Sequence, residues 1–421
     1  MKILTLNCGS SSVKYSLWNI ESTRSKLCDG IIERVTIKDA FIKHRIPGRD
    51  ELVIKHDCPS HEEAINLMVK TITDPRQKII NGLSEISAVG HRVVHGGEKI
   101  SSSRLIDNEV LNIIEECSKL APLHNPANLF GIRAAMKLMP GIPQIAVFDT
   151  AFFTKMPPSS YMYALPYEWF EKYHVKRYGF HGTSHLYVSK RAAVLLGKKY
   201  SECDLITLHI GNGTSITAIK NGEAFDHSMG FTPLEGAVMG TRCGDLDPAI
   251  PLHVMELEGL TPTQMSSILN KKSGLMGICN KADRREILKA KEEGDAKAKL
   301  AFDMECYRLK KYIGAYTAAL GHLDAIVFTA GVGENSPTHR ETVCAGLEFL
   351  GVKIDPQKNI ESIGRKKEND ISSKDSKVKV FVIPTDEELV FLEDVMAIIK
   401  GEFNNNYKHT FERDDFCPSF S

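Results

Sequence analysis

Three glycine-rich turns mark this sequence: NCGSSSVK at 7–14, HIGNGTS at 209–215 and AGVGENS at 330–336. Each follows an apolar, strand-like run. Glycine reaches backbone conformations that let consecutive N–H groups close on phosphate oxygens. Ordinary hairpins share this composition, so one such turn says little. Three of them, two in repeated positions, point to a nucleotide. The sequence has no G-x-x-x-x-G-K-[ST], no H-R-D with D-F-G, and no G-x-G-x-x-G between strand and helix. A phosphotransferase built on this chain must therefore hold its phosphates with hairpin turns.

Cationic residues beside glycines form a second set: HRVVHGG at 91–97, RYGFHGTSH at 177–185 and GTRCGDLDP at 240–248. Arg92 and Arg242 each carry a planar fork that matches carboxylate or phosphoryl oxygens. The same residues serve equally in surface ion pairs. His181 stands just before a helix N-terminus, where anions are favoured; a hydrogen-bonded core histidine would read the same way. The acidic candidates are Asp149, which ends a strand, and Glu387, which opens a helix. Mg2+ on a nucleotide takes one or two such carboxylates together with water and phosphate. Glu387 also complements a helix dipole, and Asp245 and Asp247 suit turns.

The elements that carry these residues alternate. Residues 3–13 (ILTLNCGSSSV) are echoed by 205–215 (LITLHIGNGTS), with Thr5/Thr207, Leu6/Leu208 and Gly9/Gly211 at one constant offset. Both read as strand, tight turn, strand. Residues 142–149 and 325–329 read as strands, 185–196 as a helix closed by Gly197, and 299–320 as a helix followed by the turn at 330–336. A strand at 378–383 leads into a helix with Thr385 as N-cap and Glu388 at the capping-box position. Alternating strands and helices in two halves predict two α/β domains around a cleft.

Composition narrows the function classes. The 421 residues carry 53 basic and 53 acidic side chains, 42% apolar and 25% charged residues. Zero net charge argues against nucleic acid or an anionic membrane as the main partner. Apolar runs fall far short of the ~20 residues of a membrane span. The N-terminal apolar stretch is shorter than a secretory signal needs, so a cytoplasmic location is expected. The ten cysteines include no Cys-x-x-Cys and read as small buried hydrophobes.

The segments LNCGSSSVKY, GHRVVHGG, APLHNP, FDTAFF, YGFHGTSH, HIGNGTS, GTRCGDLDP, FTAGVGENS and VIPTDEEL run in order from residue 6 to 389 and together resemble the acetate kinase family. The resemblance implies a fold of two duplicated actin-like (ribonuclease H-like) domains around an interdomain cleft, and a homodimer. Domain I would comprise 1–149 plus 386–400, and domain II 150–385 with the nucleotide site and dimer interface; residues 401–421 lie outside the resemblance and, with their Asn run, mixed charge and scattered aromatics, are expected to form a flexible tail.

By the same resemblance the reaction is ATP + acetate ⇌ ADP + acetyl phosphate. Asn7, Ser10, Ser12 and Lys14 would lie near the transferred phosphoryl group, and Arg92 would grip the substrate carboxylate. Val94, Leu123, Phe180 and Pro233 would wall a methyl pocket. His181 and Arg242 would stabilise the transferring phosphoryl group. Asp149 and Glu387 would act around Mg2+, which Mn2+ could replace, with Asn7 nearby. His209, Ile210, Gly211, Asn212 and Gly213 would cradle ATP phosphates. Asp283, Arg284 and Arg285, with Gly331, Val332, Gly333, Glu334 and Asn335, would hold the adenosine. Acetate is already ionised, so direct in-line transfer is expected, with Asp149 orienting groups rather than moving a proton.

Departures from the family pattern are Cys243 for serine, Ala330 for glycine and Arg284 for an apolar residue. Arg284 puts base specificity in question, and Cys243 beside Arg242 is expected to have a lowered pKa. Alternatives are a propionate or butyrate kinase of the same fold, an actin-like nucleotide-binding protein without catalysis, and pyrophosphate in place of ATP.

Overall fold

The computed structural model describes the chain except residues 22–23, 122–123, 365–366, 405, 417 and 419–421. It divides into two units, Met1–Ala151 with Glu387–His409, and Phe152–Asp386 with Thr410–Ser421. Each unit is an α/β body with its own sheet.

The first sheet holds β1 (Lys2–Cys8), β2 (Ser12–Ile20), β3 (Arg24–Glu33), β4 (Phe41–Arg45), β5 (Leu52–Lys55), β6 (Ile86–Val93), β7 (Arg104–Leu105) and β8 (Gln144–Phe148), in the order β5-β4-β3-β2-β1-β6-β8-β7. The second holds β9 (Leu205–Ile210), β10 (Thr214–Lys220), β11 (Glu223–His227), β12 (Ala325–Thr329), β13 (Asn369–Asp370) and β14 (Lys379–Val382), in the order β11-β10-β9-β12-β14-β13. The repeated sequence is the same hairpin in both: β1 lies antiparallel to β2 and parallel to β6, and β9 antiparallel to β10 and parallel to β12. The duplicated α/β architecture expected from the echo is present.

Helices cover both faces of the central strands, which is why β8, β9 and β12 are mostly apolar and buried along their whole length. Helix Glu387–Ile399 returns to the first sheet and packs Phe391, Leu392 and Val395 on Ile3, Ala88, Ile145 and Val147. Only glycine fits at position 90, because a Cβ there would stand 2.2 Å from Phe391 Cε1. In the second unit helix Ala296–Leu320 buries Phe302, Leu309 and Ile313 on one face, and helix Gly182–Leu196 packs on β9 and β12.

Local signals fail in three places. AGVGENS is not an open turn but a short helix, Ala330–Asn335, entered through Ala330 at φ 64°. The capping box does not form: the helix begins at Glu387, the Thr385 hydroxyl donates to Ser184, and Glu388 accepts from Ser16 and faces Lys26. Tertiary partners outcompete the local cap. The segment 401–421, expected to be flexible, is docked where it is described. His409 bonds Asp394 at 2.8 Å in the first unit. In the second, Phe411 is fully buried against Tyr187, and Arg191 donates to the Phe411 carbonyl and to Glu368. Burying Phe411 anchors the segment.

Candidate active site

In the first unit the parallel strands β1, β6 and β8 end side by side, and their C-terminal ends are where α/β sheets gather ligand groups. Asn7, near the end of β1, faces Lys14 on β2, and Lys14 is exposed. The Gly9 N–H donates to the Ser12 carbonyl at 2.8 Å, closing the turn, while His61 Nε2 bonds the Gly9 carbonyl at 2.7 Å. Ser10 stands exposed at the tip. Asn128 ties two strand ends together: its amide donates to the Cys8 carbonyl at 2.8 Å, and its oxygen accepts the Val94 N–H at 3.1 Å. Sequence reasoning passed over Asn128, although the APLHNP motif ends just before it.

Arg92 leaves β6 with its Nε and Nη2 donating to the Asp149 carboxylate at 3.1 and 2.8 Å. Asp149 is held at the end of β8 by its N–H on the Val93 carbonyl. The fork expected to meet substrate thus has one edge engaged by Asp149. Burial pushes the Asp149 carboxyl above its usual range, Arg92 opposes this, and the charge of Glu387 adds to the rise. Asp149 and Glu387 are thus two carboxylates close enough to act on Arg92 and on one another. Their carboxylates are hard oxygen donors, the kind a divalent cation takes together with water and phosphate. Among the described residues no group of three or more His, Cys, Asp or Glu could hold a metal by itself.

In the second unit His181 caps helix Gly182–Leu196 in the left-handed region at φ 59°, an uncommon conformation for a non-glycine residue. Two contacts hold it there. The Phe180 N–H donates to His227 Nε2 at 3.1 Å, and His181 Nδ1 bonds Ser215 Oγ at 2.9 Å. The His181 ring stacks on His209 with centroids 4.2 Å apart. Arg242 Nη2 and His181 Nε2 lie 3.0 and 3.5 Å from the point a Cβ on Gly213 would occupy, so both flank the hairpin tip. Arg242 donates to the Pro233 carbonyl at 2.7 Å and has no ion-pair partner among the described residues. Burial holds its pKa below the ordinary arginine value. A half-buried guanidinium without a countercharge has donors suited to an anion.

Of the four residues expected to wall a methyl group, Val94 is half-buried in the first unit. Phe180 is buried and Pro233 half-buried in the second, and Leu123 lies outside the described residues.

A groove of about 610 Å³ brings together Gly211, Asn212, Asp283, Arg284, Arg285, Gly331, Val332 and Asn335. Ile210 is buried in β9 and can offer only backbone. Glu334 turns inward, accepting the Thr385 N–H at 3.1 Å, and Gly333 packs against the backbone of Phe328. Arg284 lines the groove, yet its Nε and Nη2 go to the buried Glu305 at 3.2 and 2.8 Å. Its charge is thus paired within the groove wall. Asp283 and Arg285 bond each other at the rim. Cys243 departs from expectation: burial raises its thiol pKa despite the neighbouring Arg242. The nine cysteines among the described residues are free thiols.

Comparison with known proteins places the chain in a family. The model of the Acetokinase family matches residues 2–393. The chain is 55% identical over 419 residues to an acetate kinase of Geobacter sulfurreducens, covering 99% of both. Among solved structures, an acetate kinase of Porphyromonas gingivalis shares 50% identity and a TM-score of 0.90, over 94% of this chain and 99% of that one. A propionate kinase of Francisella tularensis shares 41% and 0.85, over 93% and 98%. With the family model matched over residues 2–393 and full-length relatives above 50% identity, this chain belongs to the acetokinase family.

Proposed function

We propose that the chain carries out the acetate kinase reaction, ATP + acetate ⇌ ADP + acetyl phosphate, by direct in-line transfer, with the first unit holding the acceptor and the second the nucleotide. Arg92 takes the acetate carboxylate on the end of its fork that Asp149 leaves open, and Val94, Leu123, Phe180 and Pro233 limit the alkyl chain. Asp149 orients Arg92. Asn7, Ser10, Ser12 and Lys14 attend the phosphoryl group. His209 to Gly213 meet the ATP phosphates through backbone, and the groove at Asp283 and Gly331 takes the adenosine.

Arg242 neutralises the charge on the equatorial oxygens, and His181 hydrogen-bonds to them, as the bond to ADP loosens. Acetate needs no base, since its oxygen is already anionic. Asn7 and Glu387, with Asp149, would hold Mg2+, which when bound offsets charge on the β- and γ-phosphate oxygens. A cytoplasmic homodimer completes the reading, on the strength of family membership.

The observation that carries this reading is the unpaired Arg242 guanidinium beside His181 at the hairpin tip. Identity to the acetate kinases of Geobacter sulfurreducens (55%) and Porphyromonas gingivalis (50%) exceeds the 41% to the propionate kinase, which favours acetate as the first substrate. Trapping the acyl phosphate with hydroxylamine tests it directly. Purified protein should form acetohydroxamate from ATP, acetate and Mg2+, with a higher kcat/KM for acetate than for propionate. Product from pyrophosphate but not ATP, or a preference for propionate, would overturn it.

A further inference from the structure

The imidazole of His181 is the near end of a chain of side chains that runs into the interior of the second unit. His181 Nδ1 lies 2.9 Å from Ser215 Oγ, Ser215 Oγ lies 2.8 Å from His185 Nε2, and His185 Nδ1 lies 2.7 Å from Thr207 Oγ1. Ser215, His185 and Thr207 are all fully buried. Apart from these contacts, their side chains have no other hydrogen-bond partner among the described residues.

Proton counting gives the chain a direction. Ser215 has one hydroxyl proton and faces a ring nitrogen on each side. It must therefore donate to one ring and accept from the other. If it donates to His185, then His185 carries its own proton on Nδ1 and donates to Thr207. The Thr207 hydroxyl proton would then be buried without an acceptor, an arrangement that folded proteins avoid. In the opposite sense every proton is placed. Thr207 donates to His185 Nδ1, His185 Nε2–H donates to Ser215, and Ser215 donates to His181 Nδ1. His181 then carries its hydrogen on Nε2, the nitrogen 3.5 Å from the Gly213 Cβ position where Arg242 also points.

We infer that Thr207, His185 and Ser215 are positioning residues that fix the tautomer of His181, so that a neutral imidazole presents Nε2–H to the transferring phosphoryl oxygen. Burial keeps His185 neutral, its pKa held well below the usual imidazole value with His227 and His209 adding to the effect. His227 is fixed independently: its Nε2 accepts the Phe180 N–H, so its hydrogen sits on Nδ1 toward Thr217. The inference rests on His181 facing the phosphoryl group, as proposed above.

Thr207 is the residue to change, because it lies at the far end of the chain and touches no substrate. Thr207→Val removes the first donor at constant shape; Thr207→Ser keeps it. With histidine labelled in 15N, the wild type should show His181 protonated on Nε2. Thr207→Val should mix in the Nδ1–H form and lower kcat about tenfold with KM for ATP and acetate unchanged, and Thr207→Ser should restore both. Ser215→Ala should lower kcat further. An Nδ1–H tautomer in the wild type, or a Thr207→Val protein whose His181 pattern is unmoved whatever its kcat, overturns the chain. A tautomer that shifts while kcat does not would leave the chain standing but remove His181 from the reaction, overturning instead the reading it rests on.

Discussion

Arg92 and Asp149 form a two-point pair, Nε at 3.1 Å and Nη2 at 2.8 Å from the carboxylate, across the ends of β6 and β8. The arginine side chain remains about one-third exposed while the aspartate is buried. The buried partner thus fixes the plane of the guanidinium, and the exposed end is left to meet a ligand. A carboxylate substrate would arrive at a fork already oriented, which removes the entropic cost of ordering a long side chain.

Replacing Arg92 by lysine keeps the charge and loses the fork. Lysine can face Asp149 or acetate, but one ammonium cannot hold both planes. KM for acetate should rise on the order of 10- to 100-fold, the worth of one or two hydrogen bonds to a charged group. KM for ATP should stay close to wild type. Steady-state kinetics with each substrate varied in turn would check this; a rise confined to ATP would place Arg92 on the wrong substrate.

Gly213→Ala probes the other half of the chemistry. Its Cβ would press on Arg242 Nη2 at 3.0 Å and on the His181 ring at 3.4 Å. Both side chains must yield by a few tenths of an ångström at the point where charge develops. The expected result is a large fall in kcat with thermal stability little changed. Arg242→Ala, which removes the cation outright, should cost on the order of 10³-fold in kcat. If Gly213→Ala turned over at the wild-type rate, the two groups would not be working at the hairpin tip.

Much of this was legible in the sequence because it rests on short-range pattern. The repeated strand–turn–strand segments are the two hairpins, and Arg92, His181 and Arg242 stand beside glycines in motifs that can be read directly. What stayed hidden depends on partners far away in the chain. Nothing near Arg284 announces that Glu305 will take its charge, and nothing in β10 marks Ser215 as the link between two histidines. Thr385 and Glu388 carried a clear local capping signal, and Ser184 and Ser16 took their side chains instead. Hydroxyls and amides such as Thr207 and Asn128 have no periodic signature, so only the fold reveals what they join.

The docked C-terminal segment should contribute measurably to stability. Phe411 is fully buried and packs at 4.9 Å on Tyr187, in the helix that begins beside His181. Phe411→Ala should cost about 3–5 kcal/mol, the usual range for deleting a buried aromatic ring. Denaturant unfolding would report it as a lower midpoint. A cost under about 1 kcal/mol would mean that the segment packs too loosely to count.

The Arg284–Glu305 pair gives stability a pH dependence with a definite sign. Burial alone would raise the Glu305 carboxyl, but Arg284 and His339 reverse this and bring it to about 2, below its usual 4.5. A carboxyl depressed on folding stabilises the protein fully above the unfolded value, and the gain disappears as pH falls from about 4.5 toward 2. A shift of that size corresponds to about 3 kcal/mol. Glu305→Gln should therefore be markedly less stable than wild type at pH 7, because it leaves the buried Arg284 without a countercharge. On acidification the wild type should lose stability faster, so that the difference between the two narrows between pH 5 and 3. Unfolding midpoints measured for both proteins across that interval would check it. Parallel loss in the two would show that the acid limb arises elsewhere and that the groove wall does not depend on this pair.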